Sequence, residues 1–230
     1  MPIIRTGTGS DGRILYFAHV PKCAGTAVEA YLMRRFGAAT KALFDPGHFN
    51  LPEPARWSRS SPQHIEAQSL ARLFNPGFFD HMFALVRHPA RRLRSVYLHQ
   101  RDIEGLIDPA EDFATWVRAL PERRADNPWY LDNHARPMGD LVPENCVIFR
   151  LEDGMAQVVS WLDQRVGNQN GPRGIAHSHS YQDRLTQAGK TPRGAVPEIT
   201  AADLEFIHQL DRADYARFGY VLEPPAEQGA

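Results

Sequence analysis

Lys22 stands at the end of the apolar stretch 13 to 20 (RILYFAHV), after Pro21 and just ahead of a run of small residues, Cys23-Ala24-Gly25-Thr26-Ala27. Small residues let backbone N–H groups approach an anion, and a helix that opens at the same point adds its positive end, so this pattern is suited to holding a phosphate. A second arrangement with the same chemistry lies further along. Arg87 closes the apolar run 82 to 87 (MFALVR), and Ser95 follows about two helical turns later, so that a guanidinium and a hydroxyl can grip one phosphate from two sides. Read singly, the first motif also fits a turn with a snorkelling lysine, and the second fits a solvated basic helix carrying Arg91, Arg92, Arg94 and Arg101. Two phosphate grips at the ends of two strands of one sheet favour the ligand-binding reading.

Other chemistries fit these residues less well. An ATPase loop places its lysine after the second glycine, whereas Lys22 precedes Gly25, which argues against a magnesium-dependent kinase. A thiolate phosphatase would use Cys23, at a helix N-terminus expected to lower its pKa, but the arginine such an enzyme needs after the loop is replaced by Glu29. The pair His177 and His179 has no carboxylate or cysteine nearby and makes a poor metal site, so no metal ligand is assigned. A non-catalytic nucleotide- or RNA-binding module built on the Arg-rich helix is the other alternative. Lys plus Arg number 26 against 27 for Asp plus Glu, so the chain lacks the basic excess of an RNA reader, and no nucleic acid partner is expected.

Strand-like runs alternate with helical patterns, which places these motifs in an α/β domain with a central parallel sheet flanked by helices. Strands are expected at 13 to 20, 82 to 87 and 146 to 150 (CVIFR). Val28, Tyr31, Leu32 and Phe36 mark the helix after the first; Ala90, Leu93 and Tyr97 mark the one after the second, with Pro89 in its first turn. Further helices are expected at 65 to 74, 109 to 120, 153 to 166 and, capped by Thr200, 200 to 216. Residues 44 to 63 read as an irregular excursion. Residues 167 to 197, rich in Gly, Pro, Asn and His, show no periodicity and are a candidate lid. At 230 residues one domain is expected. No segment is apolar enough for a signal peptide or a membrane span, and Cys23 and Cys146 suit a reducing compartment, so the expected location is the cytoplasm.

The motifs resemble those of the sulfotransferases that use 3′-phosphoadenosine 5′-phosphosulfate (PAPS), especially the carbohydrate-type branch. That family holds the 5′-phosphosulfate with P-K-x-G-G-T-S, matched by Pro21, Lys22, Cys23, Ala24, Gly25, Thr26 and Ala27, and the 3′-phosphate with R-x-P-x-x-R-x-x-S-x-Y, matched by Arg87, Pro89, Arg92, Ser95 and Tyr97. Ala24 stands where the family often has Gly and Ala27 where it often has a hydroxyl, and a lost hydrogen bond to the phosphate would cost about 1.5–3 kcal/mol. The resemblance implies a P-loop-NTPase-like sulfotransferase fold and transfer of a sulfuryl group from PAPS, without a metal, to an acceptor hydroxyl on a carbohydrate or small metabolite. In that reading Lys22 stabilises the charge leaving with the nucleotide phosphate. The family places a His between the two phosphate elements, which points to His64 as the base; Glu66 and His48 are the reserves. His134 and Arg136, in DNHARPM, are candidates for the acceptor or the donor.

Overall fold

The runs Leu15 to Ala18 and Phe83 to Val86 are all apolar and all buried, as strands covered on both faces must be. They lie in the middle of a five-stranded sheet in a computed structural model that describes residues 2–6, 12–37, 41–42, 48, 51–167, 171–176 and 181–225. The strands are β1 (Ile3–Thr6), β2 (Arg13–Ala18), β3 (Lys41–Ala42), β4 (His81–Val86) and β5 (Val147–Arg150), in the spatial order β3-β1-β2-β4-β5. β2, β4 and β5 run parallel, with Ala18 beside Ala84 and Val86 beside Arg150. The α/β class is as expected. The sheet is mixed rather than purely parallel, because β1 pairs antiparallel with both β2 and β3. Those edge strands have four and two residues, too few for periodicity to reveal.

The helices are α1 (Gly25–Phe36), α2 (Ala67–Leu73), α3 (Pro89–His99), α4 (Phe113–Arg118), α5 (Leu120–Asp126), α6 (Met138–Leu141), α7 (Ala156–Val166), α8 (Tyr181–Ala188), α9 (Ala201–Leu210) and α10 (Arg212–Phe218). α1 and α3 bury the expected faces, and α3 continues into one π-helical turn, Gln100–Glu104. One apolar cluster surrounds the sheet, and a second is built by α3, α4 and α9.

Several expected helices are shorter or divided, each for a local reason. The helix expected from 109 begins at Phe113, because the Asp112 carboxylate accepts the Thr115 N–H at 2.7 Å and caps it there. The one expected from 153 begins at Ala156, after a 3₁₀ turn, Leu151–Asp153, that ends at left-handed Gly154. The last helix starts at Thr200 as expected, with a reciprocal capping box to Asp203, but breaks at Asp211, whose carboxylate is turned to Arg124 at 2.5 Å. The span 167 to 197 is not wholly irregular: it contains α8. No helix of the described residues is long and apolar enough to cross a membrane.

Candidate active site

Two loops leave the C-terminal ends of adjacent parallel strands, residues 19–24 after β2 and Arg87-His88 after β4. The crevice beyond such ends is where open α/β sheets bind ligands. In the first loop Lys22 and Ala24 adopt left-handed conformations, with φ of 67° and 60°. Turns of this kind aim successive N–H groups at one concave side, ahead of the α1 N-terminus. Gly25 has a specific reason to be glycine: a Cβ there would fall within the His19 ring. The loop therefore packs directly against the His19 ring, with no room there for a side chain.

The Lys22 ammonium is held at a pKa of about 7, first by burial and then by the charges of Arg184 and Arg87. The charges of Arg184 and Arg87 thus reach Lys22, and their summed field favours an anion beside it. Arg184 was expected only as one of the basic residues of the candidate lid, with Arg173, Lys190 and Arg193, and not beside this loop. It comes from α8, inside the proposed lid, and donates from Nη2 to Thr26 Oγ1 at 3.2 Å. Arg87 and Ser95 are both half-buried and lie one strand over; neither lines the large cavity described next. Arg92, matched by resemblance to the 3′-phosphate element, is turned inward: its buried guanidinium donates to the carbonyls of Pro21 (3.1 Å), His134 (2.8 Å) and Arg136 (2.8 Å). It ties the loop after β2 to the segment after α5. Cys23 and Ala27 are buried beneath the loop, and burial pushes both cysteine thiols, Cys23 and Cys146, up to about 12. Burial therefore overrides the helix-end effect expected at Cys23, and thiolate chemistry is disfavoured.

A cavity of about 1320 Å³ opens beside the loop and is lined by Lys22, Ala24, Gly25, Thr26 and Arg184 and also by His19, His64, Asp132 and His134. His64 sits in a 3₁₀ turn, Pro62–His64, just before α2. Its Nδ1–H donates to Asp132 Oδ2 at 2.7 Å, which leaves the Nε2 lone pair as the basic atom of the ring. Asp132 is itself held by Ser61, from N–H to Oδ1 at 2.6 Å and from Oγ to Oδ2 at 2.8 Å. The Asn133 amide donates to the His64 carbonyl at 2.8 Å. Leu131, Asp132 and Asn133 are all left-handed, with φ between 53° and 62°, a conformation that costs roughly 1–2 kcal/mol per residue and that clusters at functional sites. The run DNHARPM was legible as a candidate segment, but Asp132 was missed. The Asp-Asn pair was the available signal, since these residues tolerate left-handed backbone best after glycine.

Two further imidazoles approach His64, and a third stacks on one of them. His19 lies edge-on at 5.1 Å and donates to Glu29 at 2.8 Å; burial lowers its pKa despite that carboxylate. His134 lies edge-on at 4.7 Å and donates from Nδ1 to the Leu131 carbonyl at 2.8 Å. Burial, then the neighbouring His64, His99 and Lys22, keeps it well below the ordinary imidazole value. His99 stacks on its far side at 5.6 Å. The other candidates are less central. Glu66 faces a smaller pocket behind the wall, where it accepts from Ser69 at 2.6 Å. His48 lines the cavity but donates to the Ser58 carbonyl at 2.8 Å. Arg136 does not line it; its Nε donates to the Pro128 carbonyl at 3.1 Å. His177 and His179 lie outside the described residues.

Trp57, Arg59 and Trp129 form the outer wall, with the Arg59 guanidinium 4.9 Å over the Trp129 ring. No curated protein and no solved structure matches the chain. One family model does, across residues 10–221, and that span includes both strand-end loops, the His64 and Asp132 pair and α8. The chain belongs to the sulfotransferase family and is an enzyme of PAPS-dependent sulfuryl transfer.

Proposed function

We propose that the enzyme sulfates a hydroxyl of a carbohydrate or small metabolite, with His64 as the general base and Lys22 as the cation at the leaving phosphate. The observation that carries this reading is the 2.7 Å hydrogen bond from His64 Nδ1 to Asp132, which leaves Nε2 as the basic nitrogen of a ring that lines the same cavity as Lys22. Bound PAPS supplies the sulfuryl group. The loop 21–27 holds its 5′-phosphosulfate by backbone N–H groups and Lys22; Arg87 and Ser95 hold the 3′-phosphate. As negative charge grows on the phosphate side, Lys22 gains interaction energy that it lacks in the ground state, and a preorganised charge of this kind is worth about 10²–10³ in rate. His64 takes the acceptor proton, and Asp132 stabilises the imidazolium that forms. No metal is needed for either task. The carbohydrate part of the proposal is supported by the outer wall, where Trp57 offers a flat apolar face and Arg59, stacked over Trp129, offers donors to a polyhydroxyl acceptor.

The test is transfer from ³⁵S-labelled PAPS to a panel of hydroxyl acceptors, by the wild-type enzyme and by His64→Ala. The substitution is expected to lower turnover by about 10²–10⁴ while leaving nucleotide affinity nearly untouched. Near-normal turnover would move the base to another residue of the cavity, with His48 and His134 next in line.

A further inference from the structure

We propose that His64, Asp132 and His134 form a binding site for a zinc-class divalent ion, and that an ion held there silences the enzyme. One ligand atom from each residue lies within 4.8 Å of the others. Two imidazoles and a carboxylate are the donor set that borderline divalent metals prefer.

What distinguishes this cluster from a chance meeting of polar groups is that two of the three ligands are held in place by a second bond from outside the set. The His134 Nδ1–H is committed to the Leu131 carbonyl at 2.8 Å, so only Nε2 is left to coordinate. Both Asp132 oxygens are steadied by Ser61, at 2.6 and 2.8 Å. A ring nitrogen fixed on a carbonyl and a carboxylate fixed by neighbouring donors are the usual outer shell of a metal site. The three residues line the large cavity, so solvent can fill the remaining coordination position. Lys22 and Arg184 share that cavity and oppose a further positive charge, so the affinity is expected to fall below that of a closed four-ligand site.

Inhibition follows from electron counting. In the ion-free enzyme the His64 Nδ1–H is donated to Asp132, and the single lone pair of the neutral ring, on Nε2, is the base. If the ion takes Nε2, that lone pair is used directly. If it takes Nδ1, the ring proton must sit on Nε2. Either way no lone pair remains to accept the proton of an acceptor hydroxyl. This second clause rests on the proposed role of His64; the ion site itself does not.

The experiment uses the full chain, stripped of metal and free of nucleotide. It is titrated with Co²⁺ while the visible absorption of low-coordinate cobalt is followed, and with Zn²⁺ by calorimetry. Saturation at one ion per chain is expected. Asp132→Ala and His134→Ala should each abolish it, with circular dichroism checking that each variant is folded. Ser61→Ala, which keeps all three ligands, should weaken zinc by about 10–100-fold. The double variant His177→Ala/His179→Ala should bind like the wild type. No saturable binding, or binding that survives His134→Ala or disappears with His177 and His179, overturns the site. Zinc at saturation should then lower turnover by about 10²-fold or more, reversibly with EDTA. Binding without inhibition would keep the site and overturn the silencing, and the cobalt titration decides the site whether or not transfer is observed.

Discussion

Ala24 shows how one residue departs from its family and what the departure does. The family often has Gly there, and in this chain the position has φ of 60°, where a Cβ is crowded by the following carbonyl. The effect of the substitution is therefore backbone strain in the phosphate cradle rather than a missing side-chain contact. Ala24→Gly is expected to stabilise the protein by about 1 kcal/mol, raising Tm by roughly 2–4 °C. An unchanged or lower Tm would mean that the loop relaxes differently. Lys22 carries a pH dependence that can be measured in the same loop. Its ammonium has a pKa of about 7 in the free enzyme, and a bound phosphosulfate or phosphate restores the charged form. Above pH 7 adenosine 3′,5′-bisphosphate should therefore bind with uptake of a proton, and affinity should fall as the pH rises through that value. Calorimetry in buffers of different ionisation enthalpy measures the uptake, which Lys22→Met should abolish.

At the scale of elements, the segment that carries Arg184 to the phosphate loop is tied down through one buried carboxylate. Asp102, in the π-helical turn after α3, pairs with Arg101 in a fork at 2.8 Å, accepts from Tyr181 Oη at 2.6 Å and accepts from the Arg193 N–H at 2.9 Å. Burial alone would raise its pKa, but the hydrogen bonds from Arg101, Tyr181 and Arg193 hold it below the ordinary value of 3.8. The clamp is thus fully formed above pH 3.8 and is lost as the pH falls through the lower, folded-state pKa. Arg101 also donates to the carbonyls of Gly194 and Ala195, and Lys190 donates to that of Ile103. Tyr181→Phe removes one hydrogen bond without disturbing the charge pair, at a cost of about 0.5–1.5 kcal/mol, and should speed amide exchange in α8. Arg184→Ala should weaken adenosine 3′,5′-bisphosphate by roughly tenfold to a hundredfold, the worth of a charged hydrogen bond. If both variants leave exchange and affinity unchanged, the segment is structural and not a lid.

At the scale of the molecule, a net charge of −1 hides a local concentration of positive charge at the ends of β2 and β4. A doubly phosphorylated nucleotide bound there stabilises the folded state by mass action alone. With adenosine 3′,5′-bisphosphate at about 100 times its Kd, the gain is about 2.7 kcal/mol, which for a chain of this size is a Tm rise of roughly 5–10 °C. Adding EDTA should leave that rise intact, because the proposed site offers the anion N–H groups and cations of the chain. A shift that requires Mg²⁺ would favour the kinase reading. Arg87→Ala should shrink the rise for the bisphosphate more than for adenosine 5′-monophosphate, since only the former carries the phosphate assigned to Arg87.

The amino-acid sequence by itself determined the two strand-end loops, the central strands and the faces of α1 and α3, because these depend on residue type and on spacings of a few positions. Apolar runs, helical periodicity and the small residues after Lys22 are local signals, and the glycine that His19 packs against is one of them. The tertiary structure decided everything that depends on residues far apart in the chain. His64 and Asp132 meet because a short left-handed turn presents the carboxylate to the ring, and no periodicity encodes such a turn. Arg92 carries the same charge as its helical neighbours in the sequence, and only burial against three carbonyls turns it from a phosphate ligand into a tie between two loops. Arg184 reaches Thr26 because Asp102 holds its helix there. Charge and hydrogen-bonding capacity belong to the residue, but the partner that satisfies them is chosen by packing.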